Sequence, residues 1–205
     1  MSQKSLAVFL SKLEVFKQPK ENLEQYATDS EVAAQALWHA SMLGWIEDKE
    51  IIDLGAGTGV LGIGCIVLGA KKTIFIEVDK NPLEILKRNL IKSYEAGFEA
   101  DYEIIQSDAL TTDLKADLVV MNPPFGTREK GIDARFLENA FKTAPRIISF
   151  HKTVTSNFIE QISDKNNFFV KAKLDLDYPL KSTHDHHKKR IQRIGVTAWL
   201  LEKNS

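Results

Sequence analysis

Ile51-Ile52-Asp53-Leu54-Gly55-Ala56-Gly57-Thr58-Gly59 runs from a short apolar segment straight into a turn with glycine at three alternate positions, and Val60 to Leu68 follows as an uncharged helical stretch. A buried strand, a tight turn and a helix succeed one another with no linker. Glycines at such a turn let the backbone pass close to a ligand and leave free N–H groups at the helix start. Working outward, strands are expected near Thr73 to Glu77, Tyr102 to Gln106, Asp117 to Met121 and Ile147 to Phe150, with helices near Pro82 to Tyr94, Asp133 to Thr143 and Thr155 to Ile162. This alternation specifies a doubly wound α/β sheet, mostly parallel, with helices on both faces. Phe168 to Asp177 and Ile191 to Leu201 are joined by a polar stretch instead of a helix, so they read as a terminal antiparallel pair that completes seven strands.

Upstream, Leu6, Phe9, Leu10, Leu13 and Phe16 fall on one stripe of an expected amphipathic helix from Met1 to Phe16. Thr28 or Asp29 is placed to cap a second, from Ser30 to Leu43. The 205 residues suit one domain, with residues 1–45 as a helical extension on a core of residues 46–205. A formal net charge of −1 excludes a globally basic protein, so any nucleic-acid contact must come from a local patch. Cys65, the single cysteine, can form neither an internal disulfide nor a thiolate metal site. That fits a reducing compartment, with the cytoplasm as the expected location, and the uncharged stretch Leu54 to Ala70 is too short and too rich in glycine for a membrane span.

The glycine spacing bears on the ligand. The dinucleotide fingerprint is Gly-x-Gly-x-x-Gly, whereas here Gly59 arrives one residue early. Asp53, ahead of the loop, suits an ammonium group better than a pyrophosphate. Glu77, ending the second strand, can accept hydrogen bonds from two ribose hydroxyls. Asp108, ending the third, can accept from an adenine amino group while the Ala109 N–H donates to the ring. Acids at the ends of three successive strands around a phosphate-free loop point to S-adenosyl-L-methionine as cofactor.

Met121-Asn122-Pro123-Pro124-Phe125-Gly126 follows the fourth strand, where a doubly wound sheet binds its ligand. An aromatic amine is a weak nucleophile because its lone pair is delocalised. Acceptors at the Asn122 side-chain oxygen and the Pro123 carbonyl would favour the pyramidal nitrogen of the transition state. Pro123 and Pro124 stiffen the backbone that carries them, and Phe125 offers a face on which a base can stack. These four are the candidate catalytic residues of an exocyclic amine methyltransferase.

With those residues the sequence resembles the amino-methyltransferases marked by Asn-Pro-Pro-(Phe/Tyr/Trp), which share a Rossmann-like class I fold. More narrowly it is similar to the family of methyltransferase-like protein five and its archaeal relatives, which methylate adenine N6 of small-subunit ribosomal RNA. The matching segments are Leu23 to Thr28, Asp53 to Leu61, Asn122 to Thr127, His151-Lys152, Asp177-Tyr178-Pro179 and His187-Lys188-Lys189. The resemblance implies that Gln25 and Thr28 close over the cofactor. It also implies cofactor contacts at Gly55, Thr58, Val60, Glu77, Asp108 and Ala109, within a loop that includes Gly57 and Gly59 and beside Asn122. Glu77 stands where human-type members carry Asp, Thr58 replaces a cysteine of some members, and Ala27 replaces a proline.

Lys181 to Arg193 holds His184, His186, His187, Lys188, Lys189, Arg190 and Arg193 against one acid, Asp185. This is the local patch that the net charge conceals. His187, Lys188, Lys189 and Arg190, with His151 and Lys152, are the candidate RNA-binding residues. Adjacent loop histidines without a second ligand cluster give no metal site. In the expected strand order Tyr102 to Gln106 lies at a sheet edge, open to pairing with another chain. The resemblance implies a heterodimer there with a small zinc-binding methyltransferase activator subunit. The alternatives are a protein glutamine N5-methyltransferase, a DNA adenine methyltransferase and a catalytically silent RNA-binding or ribosome-assembly module. Glutamine enzymes usually carry Tyr at the Phe125 position, and DNA enzymes usually carry an insertion for which this chain has no room. An NAD-dependent oxidoreductase is disfavoured by the glycine spacing and the lack of a hydride-transfer acid/base set.

Overall fold

The computed structural model describes residues 1–16, 28–126, 129, 131–180 and 192–204. Strands β1 (Glu50–Leu54), β2 (Lys72–Glu77), β3 (Asp101–Gln106), β4 (Leu118–Met121), β5 (Arg146–Lys152), β6 (Phe168–Leu180) and β7 (Gln192–Lys203) form one sheet in the order β3-β2-β1-β4-β5-β7-β6. β7 alone runs antiparallel, pairing with both β5 and β6. The helices are α1 (Gln3–Leu10), α2 (Ser30–Met42), α3 (Val60–Val67), α4 (Lys80–Glu95), α5 (Ile132–Thr143) and α6 (Ser156–Lys165).

Both sheet faces are covered, which explains why the inner strands read as continuous apolar runs. Ile51, Phe75, Leu118 and Val120 pack on one face beneath α1 to α4, whereas Ile52, Ile76, Val119 and Met121 pack on the other beneath α5 and α6. The register aligns Leu54 with Ile76 and Asp53 with Val120, so β1, β2 and β4 end together. β1 lies between strands reached in opposite directions along the sheet, and the crevice above its end is where such sheets bind ligands.

The expected elements are present, with one correction at the N-terminus. Ser2 and Ser5 form a capping box for α1, but the helix stops at Leu10 instead of reaching Phe16. Glu14 finds its backbone partners in Asn89 of α4, which accepts from its N–H at 2.7 Å and donates to its carbonyl at 2.9 Å. The same Asn89 amide donates to the Thr58 carbonyl at 2.9 Å, and the Glu14 carboxylate pairs with Arg88 and Lys92. The N-terminal segment is thereby stitched to the glycine loop, and Phe16 is carried to the crevice. Asp29 caps α2, and Asp79 caps α4, which opens at Lys80 because Pro82 in a first helical turn sacrifices no intrahelical bond.

Candidate active site

Above the ends of β1, β2, β3 and β4 is a cavity of about 450 Å³. It is lined by Thr28, Asp53, Gly55, Gly57, Thr58, Val60, Glu77, Asp108, Ala109 and Asn122, all expected from the sequence, and also by Phe16, Val78, Pro124, Arg135 and Phe136. Gly55 and Gly57 adopt φ of +70° and +54°, a left-handed backbone that admits glycine readily. A Cβ at Gly55 would meet the Phe136 ring at 3.1 Å, and one at Gly57 the Phe16 ring at 3.0 Å. The loop thus lies against two aromatic rings, one from the N-terminal segment and one from α5. Gly59 does not line the cavity; a side chain there would run into Leu86 of α4, so its part is packing.

The loop's polar groups are held by the two acids. α3 begins on Gly59, which has no side chain with which to cap it, and Asp53 Oδ2 takes the N–H of Gly62 at 2.8 Å in place of a cap. Glu77 accepts from the Gly57 N–H at 2.8 Å through Oε2 and from the Asp79 N–H at 2.9 Å through Oε1. Each carboxylate oxygen has two lone pairs, so both acids hold the backbone and retain acceptor capacity toward the cavity. Burial dominates their acidity. It pushes Asp53 up from 3.8 to about 7 against the opposing Gly62 N–H, with the neighbouring Glu77 charge adding to the rise. It also raises Glu77 despite the bonds from Asp79 and Gly57. Asp108 is exposed, caps a short 3-10 turn through Leu110 N–H at 2.9 Å, and is steadied by Asn139, which donates to the Ala109 carbonyl.

At the end of β4 the Asn122 amide nitrogen donates to Thr28 Oγ1 at 3.0 Å. Its oxygen, Oδ1, is buried and has no hydrogen-bond partner among the described residues. A buried polar atom left unsatisfied is costly, and at a cavity wall it marks the place of a donor from outside the protein. Pro124 lines the cavity beside it, whereas Pro123 is buried behind and Phe125 packs half-buried against the core, with Lys152 Nζ 5.8 Å from its ring centre.

His151 requires correction as a candidate RNA contact. Its side chain is completely buried, its Nε2 lies 2.7 Å from Ser149 Oγ, and its Nδ1 stands 3.9 Å from Asp133, so it presents no surface to a nucleic acid. Gln25, His187, Lys188, Lys189 and Arg190 lie outside the described residues. Phe16 and Phe136 were not singled out from the sequence, because their apolar spacing is that of ordinary core residues.

Residues 27–150 match the methyltransferase small domain family. The rRNA N(6)-adenosine-methyltransferase METTL5 of Danio rerio is 32% identical over 203 residues, covering 96% of this chain and 96% of that protein. The chain belongs to the METTL5 methyltransferase family. The Drosophila melanogaster METTL5 enzyme is likewise 32% identical, over 97% of this chain and 95% of its own length. A Pyrococcus horikoshii structure described as a candidate RNA methyltransferase superposes with a TM-score of 0.89 at 38% identity, covering 99% of this chain and 98% of that one. As a METTL5-family methyltransferase the chain takes its methyl group from S-adenosylmethionine. The donor set fits that cofactor, since Asp53, Glu77 and Asp108 face the cavity with no partner cation among the described residues, and the one cation in the described lining, Arg135, is paired with the fourth carboxylate, Glu129, at 2.7 Å, which suits a cationic, phosphate-free ligand. Among the described residues no helix is long and apolar enough to cross a membrane.

Proposed function

We propose that the chain works as one domain in the cytoplasm and transfers a methyl group to N6 of an adenosine in small-subunit ribosomal RNA. The observation that carries this reading is the buried, unpartnered Asn122 Oδ1 at the cavity wall, an acceptor aimed where an amino group would enter. Bound S-adenosylmethionine supplies an electrophilic sulfonium methyl. Asp53 takes its ammonium group, Glu77 its ribose hydroxyls, and Asp108 with the Ala109 N–H its adenine. Gly55, Gly57, Thr58 and Val60 shape the wall, and Gln25 and Thr28 close over it. Asn122 Oδ1 and the Pro123 carbonyl accept the two protons of the target amine, so the nitrogen lone pair localises toward the methyl group. Pro124 stiffens that turn, and Phe125 stacks on the target base. The proton lost after transfer passes to water, because a methylated aromatic amine in its cationic form is strongly acidic.

RNA reaches this edge along Lys152 and the basic run His187-Lys188-Lys189-Arg190. β5 ends at the Lys152–Val196 pair, but β6 and β7 stay paired through Asp177–Gly195 to Leu180–Gln192, so a two-stranded ribbon continues past the catalytic edge and leads into the basic run. β3 is an edge strand with Tyr102 54% exposed, which supports heterodimer formation there with a small zinc-binding activator. The test is transfer of labelled methyl from S-adenosylmethionine to total RNA, followed by nucleoside mass spectrometry. The label should appear in N6-methyladenosine of the small-subunit RNA; label in another nucleoside, or in protein, would overturn the reading.

A further inference from the structure

Thr28 and Asn122 are 94 residues apart in the chain, yet the Thr28 hydroxyl is the partner of the Asn122 amide nitrogen at 3.0 Å. Thr28 immediately precedes the Asp29 cap of α2, so its backbone is held by a helix that packs on the core. Asn122 follows a fully buried strand and precedes two prolines, so its backbone is fixed as well. The remaining freedom in this pair is rotation of the Asn122 amide plane, a broad torsion with no sharp rotamer of its own. The hydroxyl removes that freedom.

We infer that Thr28 is a positioning residue for methyl transfer, acting through the Asn122 amide. A hydroxyl can accept or donate, so by itself it fixes the plane of the amide and leaves both faces of the choice open. The target amino group has only protons to offer to Asn122, and it selects the orientation in which nitrogen faces Thr28 and oxygen faces the target. This orientation leaves Asn122 Oδ1 buried with no partner among the described residues. An acceptor held in place before reaction contributes more to rate than one that must be oriented during it. The inference rests on the proposed transfer to an amino group, and it gives the N-terminal extension a part in catalysis separate from covering the cofactor.

Three variants test it: Thr28→Val, which keeps the shape and removes the hydroxyl, Thr28→Ser, which keeps the hydroxyl, and Thr28→Val combined with Asn122→Ala. Cofactor affinity is read by calorimetry, and kcat and KM on RNA with labelled S-adenosylmethionine. Thr28→Val should lower kcat at saturating cofactor roughly three- to tenfold, the worth of one neutral hydrogen bond, beyond any loss of cofactor affinity that follows from its place over the cofactor, with RNA KM little changed. Thr28→Ser should restore most of the rate. In the Asn122→Ala background Thr28→Val should have no further effect on kcat, because the group it orients is gone. A loss confined to cofactor affinity, with kcat at saturating cofactor unchanged, would make Thr28 a cofactor contact only, and additive losses of kcat in the double variant would place its action elsewhere; either result overturns the inference. If wild-type protein transfers no methyl group to an adenine amine, the proposed function fails first, and that failure is visible without any variant.

Discussion

Asp53→Asn separates what the buried acid does for the fold from what it does for the cofactor. Asp53 is 2% exposed, and burial pushes its carboxyl from 3.8 to about 7. Because the folded-state value lies above the unfolded one, the cofactor-free protein holds an extra proton between about pH 4 and pH 7. Its stability therefore declines as pH rises through that window and levels off above it. The full displacement corresponds to about 4 kcal/mol, a ceiling that local relaxation reduces. An asparagine oxygen can still accept from the Gly62 N–H, yet the side chain no longer ionises. Urea denaturation of the cofactor-free protein should show Asp53→Asn gaining on wild type by about 2 to 3 kcal/mol between pH 5 and pH 8. Cofactor affinity should move the other way. The proposed ammonium contact needs the carboxylate, so wild-type binding should release a proton and weaken by up to about tenfold per pH unit below pH 7, whereas the variant binds weakly and without that dependence. A stability difference that is constant with pH, together with wild-type affinity that is flat from pH 5 to pH 7, would refute the reasoning.

Asn122→Ala should leave cofactor Kd nearly unchanged in calorimetry while lowering kcat by about a hundredfold or more, as expected for an acceptor used in the transition state. Glu77→Ala should weaken cofactor binding and also lower the melting temperature, because the Gly57 and Asp79 N–H groups lose their acceptor along with the proposed ribose contact. Lys188→Glu with Lys189→Glu should weaken RNA binding and flatten its salt dependence in a filter-binding titration, with cofactor affinity unaffected. Tyr102→Asp should abolish co-purification with a zinc-binding activator while the isolated chain keeps its melting temperature; Ile104 would be a poorer choice, since it packs against the core.

The sheet was legible because its strands are buried on both faces, and runs such as Ile51-Ile52 or Leu118-Val119-Val120 can hardly serve another purpose. Asp53 and Glu77 were legible because an acid at the end of an apolar strand is conspicuous, although their bonds to Gly62 and Gly57 were not. A backbone N–H carries no mark in the sequence. The early end of α1 was hidden for a related reason: the apolar stripe from Leu6 to Phe16 has helical spacing, and the group that takes over at Glu14 is an asparagine on another helix. The burial of His151 leaves no trace in the sequence, where it simply neighbours Lys152 at the catalytic edge. Alternation along β5 turns the two side chains to opposite faces, both covered by helices, and Ser149, two residues earlier on the same face as His151, is its buried polar partner.

The Asn89 clamp also bears on how the chain is made. Glu14 leaves the ribosome 75 residues before the side chain that will hold it. At about 5 to 20 residues per second, that interval is roughly 4 to 15 s. Throughout it the N-terminal segment has neither its backbone partner nor the Arg88 and Lys92 cations. The N-terminal segment is thus fixed only after β1, the glycine turn, β2 and most of α4 exist, and the aromatic wall supplied by Phe16 is laid against a glycine loop that has already been made.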